Sequence, residues 1–182
     1  MNRILAALLA PLALSLSLVA CSGDDQGSDH NDADVTFVQQ MVPHHRQAIM
    51  MARLADSRAS NAAVLALARD IATAQRQEIE TLEGWLDGWG EDASGHGMDG
   101  GHMDHDSMDG MLDAGQMRDL RDATGTAFDR LFLASMIEHH EGAVTMARTE
   151  VDEGENPDVI ALAEKIAADQ AAEIETMREL LG

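Results

Sequence analysis

A tandem duplication constrains this chain more than any other feature. Residues 34–86 and residues 129–181 align without a gap at a spacing of 95 positions, and 22 of the 53 aligned residues are identical. Because one such unit cannot cover its own apolar surface, the duplication predicts a single domain built from two equivalent halves. The identical positions include one acid, one aromatic residue, one thioether and two adjacent imidazoles: Asp34/Asp129, Phe37/Phe132, Met41/Met136, His44/His139 and His45/His140.

Each copy has the periodicity of a helical hairpin. In the first copy, apolar residues recur at helical spacing over residues 37–52 and again over residues 64–85. Strand signals are weak, since the chain has no Tyr and only 3% aromatic residues. The sequence therefore predicts an all-α fold, a four-helix bundle made from two tandem helical hairpins.

Helix boundaries are marked by capping residues. Asn61 is expected to cap the second helix of the first copy, and Asn156 the corresponding helix of the second copy. Between the copies, a short helix is predicted within residues 111–125 with Asp113 as its cap. Thr126 is expected to cap the long helix that carries the second His pair.

The histidines are predicted to face the interior of the bundle. At about 100° per residue, the first helix places its Phe, its two His and two of its Met in one arc of roughly 120°. On the second helix, Gln75 and Glu78 share the face of the apolar residues. The inward-facing polar and thioether positions of the two copies are Asp34, Met41, His44, His45, Met51, Gln75 and Glu78, and Asp129, Met136, His139, His140, Met146, Gln170 and Glu173.

Buried imidazoles and carboxylates require partners, because burying them unpaired costs several kcal/mol each. One interpretation is an internal network in which each Glu accepts a hydrogen bond from a His. The other is a metal site with the His and Met residues as ligands. In that site the Asp, Gln and Glu residues would be further ligands, or acceptors that fix the imidazole tautomer.

The segment between the copies indicates a metal independently. Residues 91–111 are rich in Gly and Asp and contain three His and four Met that no apolar periodicity explains. Thioethers select Cu(I), and imidazole also accepts Cu(II) and Zn²⁺, so this mixed set favours copper over zinc or another divalent ion. The predicted ligands in this linker are His96, Met98, His102, Met103, His105, Met108 and Met111.

The N-terminal sequence predicts that the protein is attached to a membrane. Residues 1–21 have a basic start, an apolar core and a lipoprotein cleavage box that ends at Cys21, the only cysteine. We expect cleavage and lipidation of Cys21, so that residues 22–32 form a flexible tether and residues 33–182 form an extracytoplasmic, lipid-anchored bundle.

Net charge limits the partners. The formal charge of −21 argues against a nucleic acid partner, whose phosphates such a surface repels, and favours the approach of cations.

The doubled motif resembles the family catalogued as domain of unknown function 305. The resemblance covers nearly all of residues 32–182. It rests on Asp34-x-x-Phe37-x-x-x-Met41-x-Pro43-His44-His45-x-x-Ala48-x-x-Met51-Ala52, on Gln75-x-x-Glu78-Ile79, and on Gly125-x-x-Phe128-Asp129-x-x-Phe132-x-x-x-Met136-Ile137-x-His139-His140-x-Gly142-Ala143. It implies a ferritin-like four-helix bundle, and some similar periplasmic proteins are associated with copper binding and copper tolerance through Met and His residues. It implies no established catalytic activity.

Three functional hypotheses follow. The first is a lipid-anchored copper-binding protein that sequesters copper or hands it over. The second is a ferritin-like oxidoreductase with a redox-active metal, and the third is a helical interaction scaffold with a polar core network and no metal. No catalytic residue is predicted, because the chain lacks a nucleophile elbow, a Gly-rich phosphate loop and the Glu-x-x-His spacing of di-iron bundles.

Overall fold

The computed structural model describes residues 29–92 and 108–182, and all of its regular structure there is helical. Four long helices are joined by one short helix, so the predicted all-α four-helix fold is confirmed. In this part of the chain, no helix is both long and apolar enough to cross a membrane. The helices are α1 (Asp32–Arg58), α2 (Ala62–Trp89), α3 (Ala114–Asp122), α4 (Gly125–Glu153) and α5 (Pro157–Leu181).

Most helices begin where the capping residues predict. The side-chain oxygens of Asn61, Asp113 and Asn156 each accept a hydrogen bond from the backbone of the first helical turn. The prediction for α4 was wrong, since this helix begins at Gly125, ahead of Thr126. Thr124 is extended and its carbonyl accepts from the Phe128 N–H, so the helix starts two residues earlier than expected.

The two hairpins are related by a pseudo-twofold axis. Asp34, in the first turn of α1, accepts a hydrogen bond from the Asn156 backbone N–H at the start of α5 (3.0 Å). Asp129, in the first turn of α4, accepts one from the Asn61 backbone N–H at the start of α2 (3.0 Å). Exchanging the two copies converts each contact into the other, as expected for a twofold interface. It follows that α1 and α4 pack antiparallel.

A polar layer divides the core into two apolar clusters. One cluster contains the start of α1 and of α5 with the end of α2, including Phe37, Leu86 and Ile166. The other contains the end of α1, the start of α2 and of α4 and the short α3, including Leu120 and Phe132. On all four long helices, the predicted His, Gln and Glu positions lie between these clusters, at mid-height of the bundle.

The N-terminal end of the described chain is docked on the bundle. Asn31 caps α1 through a capping box and its side chain donates to the Glu153 carbonyl (2.9 Å). The Asp29 carbonyl accepts from the Asn156 side chain (2.8 Å). The last residues of the predicted tether therefore pack against the α4–α5 loop. The rest of the tether and Cys21 lie outside the described residues.

Candidate metal centre

The outer histidine of each pair is bonded to a glutamate of its own hairpin. His45 Nε2 lies 2.9 Å from Glu78 Oε2, and His140 Nε2 lies 2.7 Å from Glu173 Oε2. Both imidazoles are fully buried. The sequence placed these four residues on the inward faces of four helices, and the structure brings them together as two equivalent dyads.

Each glutamate fixes the tautomer of its histidine. A carboxylate only accepts hydrogen bonds, so Nε2 of His45 and of His140 carries the proton. The lone pair is then on Nδ1, which is buried in both rings and has no hydrogen-bond partner among the described residues. A carboxylate that holds one nitrogen while the other is available is the arrangement found behind metal-binding histidines.

The inner histidines face each other across the pseudo-twofold axis. The ring centroids of His44 and His139 are 3.8 Å apart, with the planes tilted by 38°. His44 Nε2 donates to the Asp109 carbonyl (3.2 Å), which leaves its Nδ1 as a buried lone pair. The ring nitrogens of the fully buried His139 make no hydrogen bond of good geometry to a described residue. The backbone carbonyl of His44 approaches the ring and raises its pKa, but less than burial lowers it.

These imidazoles are neutral at physiological pH. Burial lowers the pKa of His44 to about 3, with a smaller contribution from repulsion by His45. Burial also lowers the pKa of His139 well below its usual value, and lowers that of His45 in spite of the opposing Glu78 carboxylate. Because metals bind the neutral form, their lone pairs are available without a proton having to leave.

A lysine distinguishes the two dyads. Lys165 of α5 donates to Glu78 Oε1 (3.2 Å), and the position of the first copy that is equivalent to Lys165 holds Asp70. Burial raises the pKa of Glu78, but the bonds from His45 and Lys165 outweigh it and leave a net lowering. Sequence reasoning missed Lys165, since a charged residue on an exposed face gives no signal.

The predicted thioether ligands are packed in the apolar clusters. Met41, Met51 and Met136 are fully buried, and Met146 is half-buried. Met41 and Met136 lie three residues before the inner histidines, on the same face of their helices. In the described ranges, no three side chains of His, Cys, Asp or Glu converge on a position that could hold a metal ion.

Asp34 and Asp129 have partners other than those predicted for a metal site. Asp34 accepts from the backbone N–H groups of Asn31 (2.6 Å) and Asn156 (3.0 Å), and these bonds hold its pKa below the usual value against the effect of burial. Asp129 accepts from the backbone and hydroxyl of Ser60. Both carboxylates therefore join helix starts to loops at the ends of the bundle, and neither bonds to an imidazole of the described residues.

The two predicted glutamines do lie in the polar layer. Gln75 and Gln170 precede the dyad glutamates by one turn, and both are almost completely buried. Their amide oxygens and nitrogens make no hydrogen bond to the described residues. A buried amide in this state requires water or another ligand.

Sequence reasoning also missed a buried acid near Asp34. Glu150 of α4 is 1% exposed, and burial together with Asp34 raises the pKa of Glu150 to about 8. A side chain at Gly154 would collide with the Glu150 carboxyl, so the glycine makes room for it. The equivalent positions in the first copy are Ala55 and Ala59. That difference between the copies was the available signal.

The linker is described at residues 91–92 and at residues 108–111. Met108 and Met111 are half-buried and belong to a turn that reaches α4. The other predicted linker ligands, His96, Met98, His102, Met103 and His105, lie outside the described residues.

Known structures share this fold. A DUF305 fragment from Deinococcus radiodurans is 34% identical with a TM-score of 0.74, over 84% of this chain and 97% of that chain. A candidate secreted DUF305 protein from Streptomyces coelicolor is 32% identical with a TM-score of 0.74, over 82% and 90%. CopM in the Cu(II)-bound form is 34% identical with a TM-score of 0.69, over 81% and 95%.

CopM has also been solved in Cu(I)-bound and Ag-bound forms, both 31% identical to this chain. No protein of curated function matches the sequence. The model of the domain of unknown function DUF305 matches residues 34–181, which is most of the chain and includes both copies of the duplication. The chain therefore belongs to the DUF305 family.

Proposed function

We propose that this protein binds a soft metal ion, copper above all, in the polar layer between its inner histidines. The observation that carries the proposal is His139, a fully buried neutral imidazole whose ring nitrogens make no hydrogen bond of good geometry to the described residues. Leaving two ring nitrogens unpaired costs roughly 1–3 kcal/mol each. Its neighbour at 3.8 Å, His44, offers a second free nitrogen.

The available donors suit a monovalent ion. The inner imidazoles are neutral, and the nearest thioethers along the helices are Met41 and Met136. Neutral nitrogen and thioether ligands favour Cu(I), whereas harder ions prefer carboxylates, and the carboxylates of this layer are already bonded to His45 and His140. The copper- and silver-bound structures of CopM, a relative of this protein, support the proposal that this protein also binds a soft metal ion.

The outer dyads contribute in one of two ways. Nδ1 of His45 and of His140 would bind an ion directly after a change of rotamer, or the dyads would hold the inner rings in place by packing. Met51, Met146, Gln75 and Gln170 belong to the same layer and are the further candidates.

We assign the protein an extracytoplasmic, lipid-anchored role in copper sequestration or handover. The lipoprotein signal at residues 1–21 and its Cys21 support the anchor, and the Streptomyces coelicolor relative supports secretion. The His- and Met-rich linker would capture ions from solution, aided by the acidic surface.

Competitive titration tests the proposal. The protein is titrated with Cu(I) and Ag(I) under anaerobic conditions against chelators of known affinity, and with Zn²⁺. The linker is proposed to bind metal as well, so its ligands are removed first. In this parent variant, Ala replaces His96, His102 and His105, and Leu replaces Met98, Met103, Met108 and Met111. This parent should retain at least one ion with a Kd tighter than roughly micromolar.

The histidine substitutions are made in the linker-substituted parent. Replacing His44 and His139 with Leu should abolish the retained site, while replacing His30 with Ala should leave it intact. A parent that binds neither Cu(I) nor Ag(I) at micromolar concentration would overturn the proposal.

The two His–Glu dyads favour a polar network as the second candidate function. A network accounts for His45 and His140, whose partners are in place, but gives His139 no hydrogen bond of good geometry among the described residues. It predicts that replacing all four histidines changes stability and leaves metal uptake untouched.

A further inference from the structure

The C-terminal end of the linker is bonded to the inner histidine pair. The Met111 N–H donates to the Met108 carbonyl (3.1 Å), which closes a turn at residues 108–111. Within this turn, the Asp109 carbonyl accepts the hydrogen bond from His44 Nε2 (3.2 Å). The 108–111 turn therefore lies directly against the proposed metal site.

Glycines allow the turn to approach this closely. Gly110 has a φ of +79°, and a Cβ there would collide with the carbonyl oxygens of Glu138 and His139. A Cβ at Gly142 would collide with the Asp109 carbonyl group. The turn thus contacts His44 through its ring and His139 through its backbone.

A glutamine holds the other side of the turn. The buried side chain of Gln47 donates to the Leu112 carbonyl (2.9 Å) and accepts from the Leu112 N–H (2.8 Å). This two-point bond satisfies both backbone groups of the residue that follows the turn. It fixes residues 108–112 against α1.

The duplication shows that this docking is a specialised feature. Gln47 and Gly142 occupy equivalent positions of the two copies, two residues after the outer histidine in each case. The copies agree at Met41, at both histidines and at Ala48, but differ here. Of the described linker residues, those at the C-terminal end reach the pair. One copy supplies the residue that bonds this end and the other supplies the space for it.

We propose that the 108–111 turn is a relay subsite for a soft monovalent cation, Cu(I) or Ag(I), and that Gln47 and Gly142 position it over the inner histidines. Met108 and Met111 are the first and last residues of the turn, so their Cα atoms lie within about 7 Å and both thioethers can reach one ion. This inference rests on the proposed function.

The transfer is a ligand exchange without redox chemistry. The ion leaves the two thioethers for the neutral imidazole nitrogens and keeps its oxidation state. No proton is displaced, since the receiving nitrogens carry none. A docked turn keeps the ion at high effective concentration next to the buried pair, which accelerates loading without changing the final affinity.

Loading kinetics with Ag(I) test the relay. The protein is mixed with Ag(I) held by a chromophoric chelator, and both the transfer rate and the affinity at equilibrium for the tightest ion are measured. The double substitution Met108→Leu and Met111→Leu should slow transfer about tenfold and leave that affinity unchanged. Met50→Leu, on an exposed face of α1, is the control and should load at the wild-type rate.

A second control separates the docked turn from general capture by the linker. Met98→Leu with Met103→Leu removes the same number of thioethers from the same segment and should slow transfer much less. If this pair slows transfer as much as the substitutions at Met108 and Met111, the relay proposal is overturned.

Undocking variants keep every thioether. Gln47→Leu removes both bonds to Leu112, and Gly142→Ala expels the turn, so each should slow loading about tenfold and shift the NMR signal of the His44 ring even without metal. Gln47→Leu remains informative if Gly142→Ala does not fold. Wild-type loading rates in all these variants would overturn the relay, whereas loss of Ag(I) binding in the wild type would overturn the proposed function itself.

Discussion

The two copies of the duplicated hairpin agree where the metal would bind and differ at buried positions around it. Both copies retain the inner histidine, the outer histidine and the dyad glutamate at equivalent places. The buried differences that add or remove a polar side chain are Gln47 against Gly142 and Ala55 against Glu150, and the exposed Lys165 replaces an Asp next to one dyad. The shared residues therefore form a symmetric candidate site, while the unshared ones make its two sides inequivalent.

Replacing the inner histidines one at a time should break this symmetry most strongly. His44→Leu and His139→Leu should each weaken Cu(I) binding by at least about a hundredfold, because each removes a proposed ligand. Their effects on stability should differ. His139→Leu removes nitrogens that make no hydrogen bond of good geometry to the described residues and should maintain or raise the free energy of unfolding. His44→Leu should lower it by about 1 kcal/mol with the loss of the Asp109 bond.

Urea denaturation and metal titration of both variants check this prediction. His140→Leu is a matched control that also leaves a dyad glutamate without its donor, so it should lower stability. An equal loss of stability for His44→Leu and His139→Leu would show that His139 has a structural partner.

Acid should destabilise the metal-free protein through the same rings. The folded-state pKa of His44 and of His139 lies below the usual 6.5, so the unfolded chain binds more protons than the folded one below that pH. The free energy of unfolding should therefore fall as the pH drops from 6.5 to 5, by up to about 1.4 kcal/mol per pH unit for each buried imidazole.

The difference between wild type and His139→Leu isolates one ring. The variant should lose stability less steeply over this range, by about one proton. Parallel pH profiles would mean that His139 titrates normally in the folded state.

Glu150 should make the protein less stable as the pH rises, through its contact with Asp34 at the end of the bundle. Its pKa is raised from 4.5 to about 8, so its contribution to stability is complete below pH 4.5 and is lost as the pH rises through 8. Glu150→Gln should remove this decline in thermal midpoint, which falls between pH 5 and pH 8. Glu153→Gln, an exposed residue on the same helix, should retain the decline, and an unchanged profile for Glu150→Gln would refute the raised pKa.

The sequence predicted the polar layer but not the ends of the bundle. Helical periodicity fixes the angle of a side chain around its helix, which is why His44, His45 and Glu78 were correctly placed inside. It does not show which residues of the other helices lie at the same height along the bundle axis. Asp34 shares the face of His44, yet ten residues of helix separate them by about 15 Å, so Asp34 meets a loop of the other copy.

Long-range docking was also beyond the sequence. The bond from His44 to Asp109 and the clamp of Gln47 on Leu112 join segments 65 residues apart. No local pattern encodes such contacts. Buried differences between the copies, such as Gln47 against Gly142, were the available signal, and their meaning depends on knowing that α1 and α4 pack antiparallel.

Removing the lysine should have the smallest effect. Lys165→Gln leaves the His45–Glu78 dyad in the state of the His140–Glu173 dyad and should lower the free energy of unfolding by less than about 1 kcal/mol, because Lys165 is largely exposed. Asp169→Asn, which removes the other partner of Lys165, is the control. A loss of several kcal/mol for Lys165→Gln would mean that the two dyads depend on that charge.

The central claim is that the inner histidines bind the ion, and ¹⁵N NMR of the histidine rings tests it most directly. One equivalent of Ag(I) is added to the variant whose linker His and Met residues are replaced, with ring signals assigned by single substitutions. The account predicts that the Nδ1 signal of His44 and one ring nitrogen signal of His139 shift together, while His30 is unchanged. Unchanged signals for both inner histidines, with Ag(I) bound elsewhere or not at all, would contradict it.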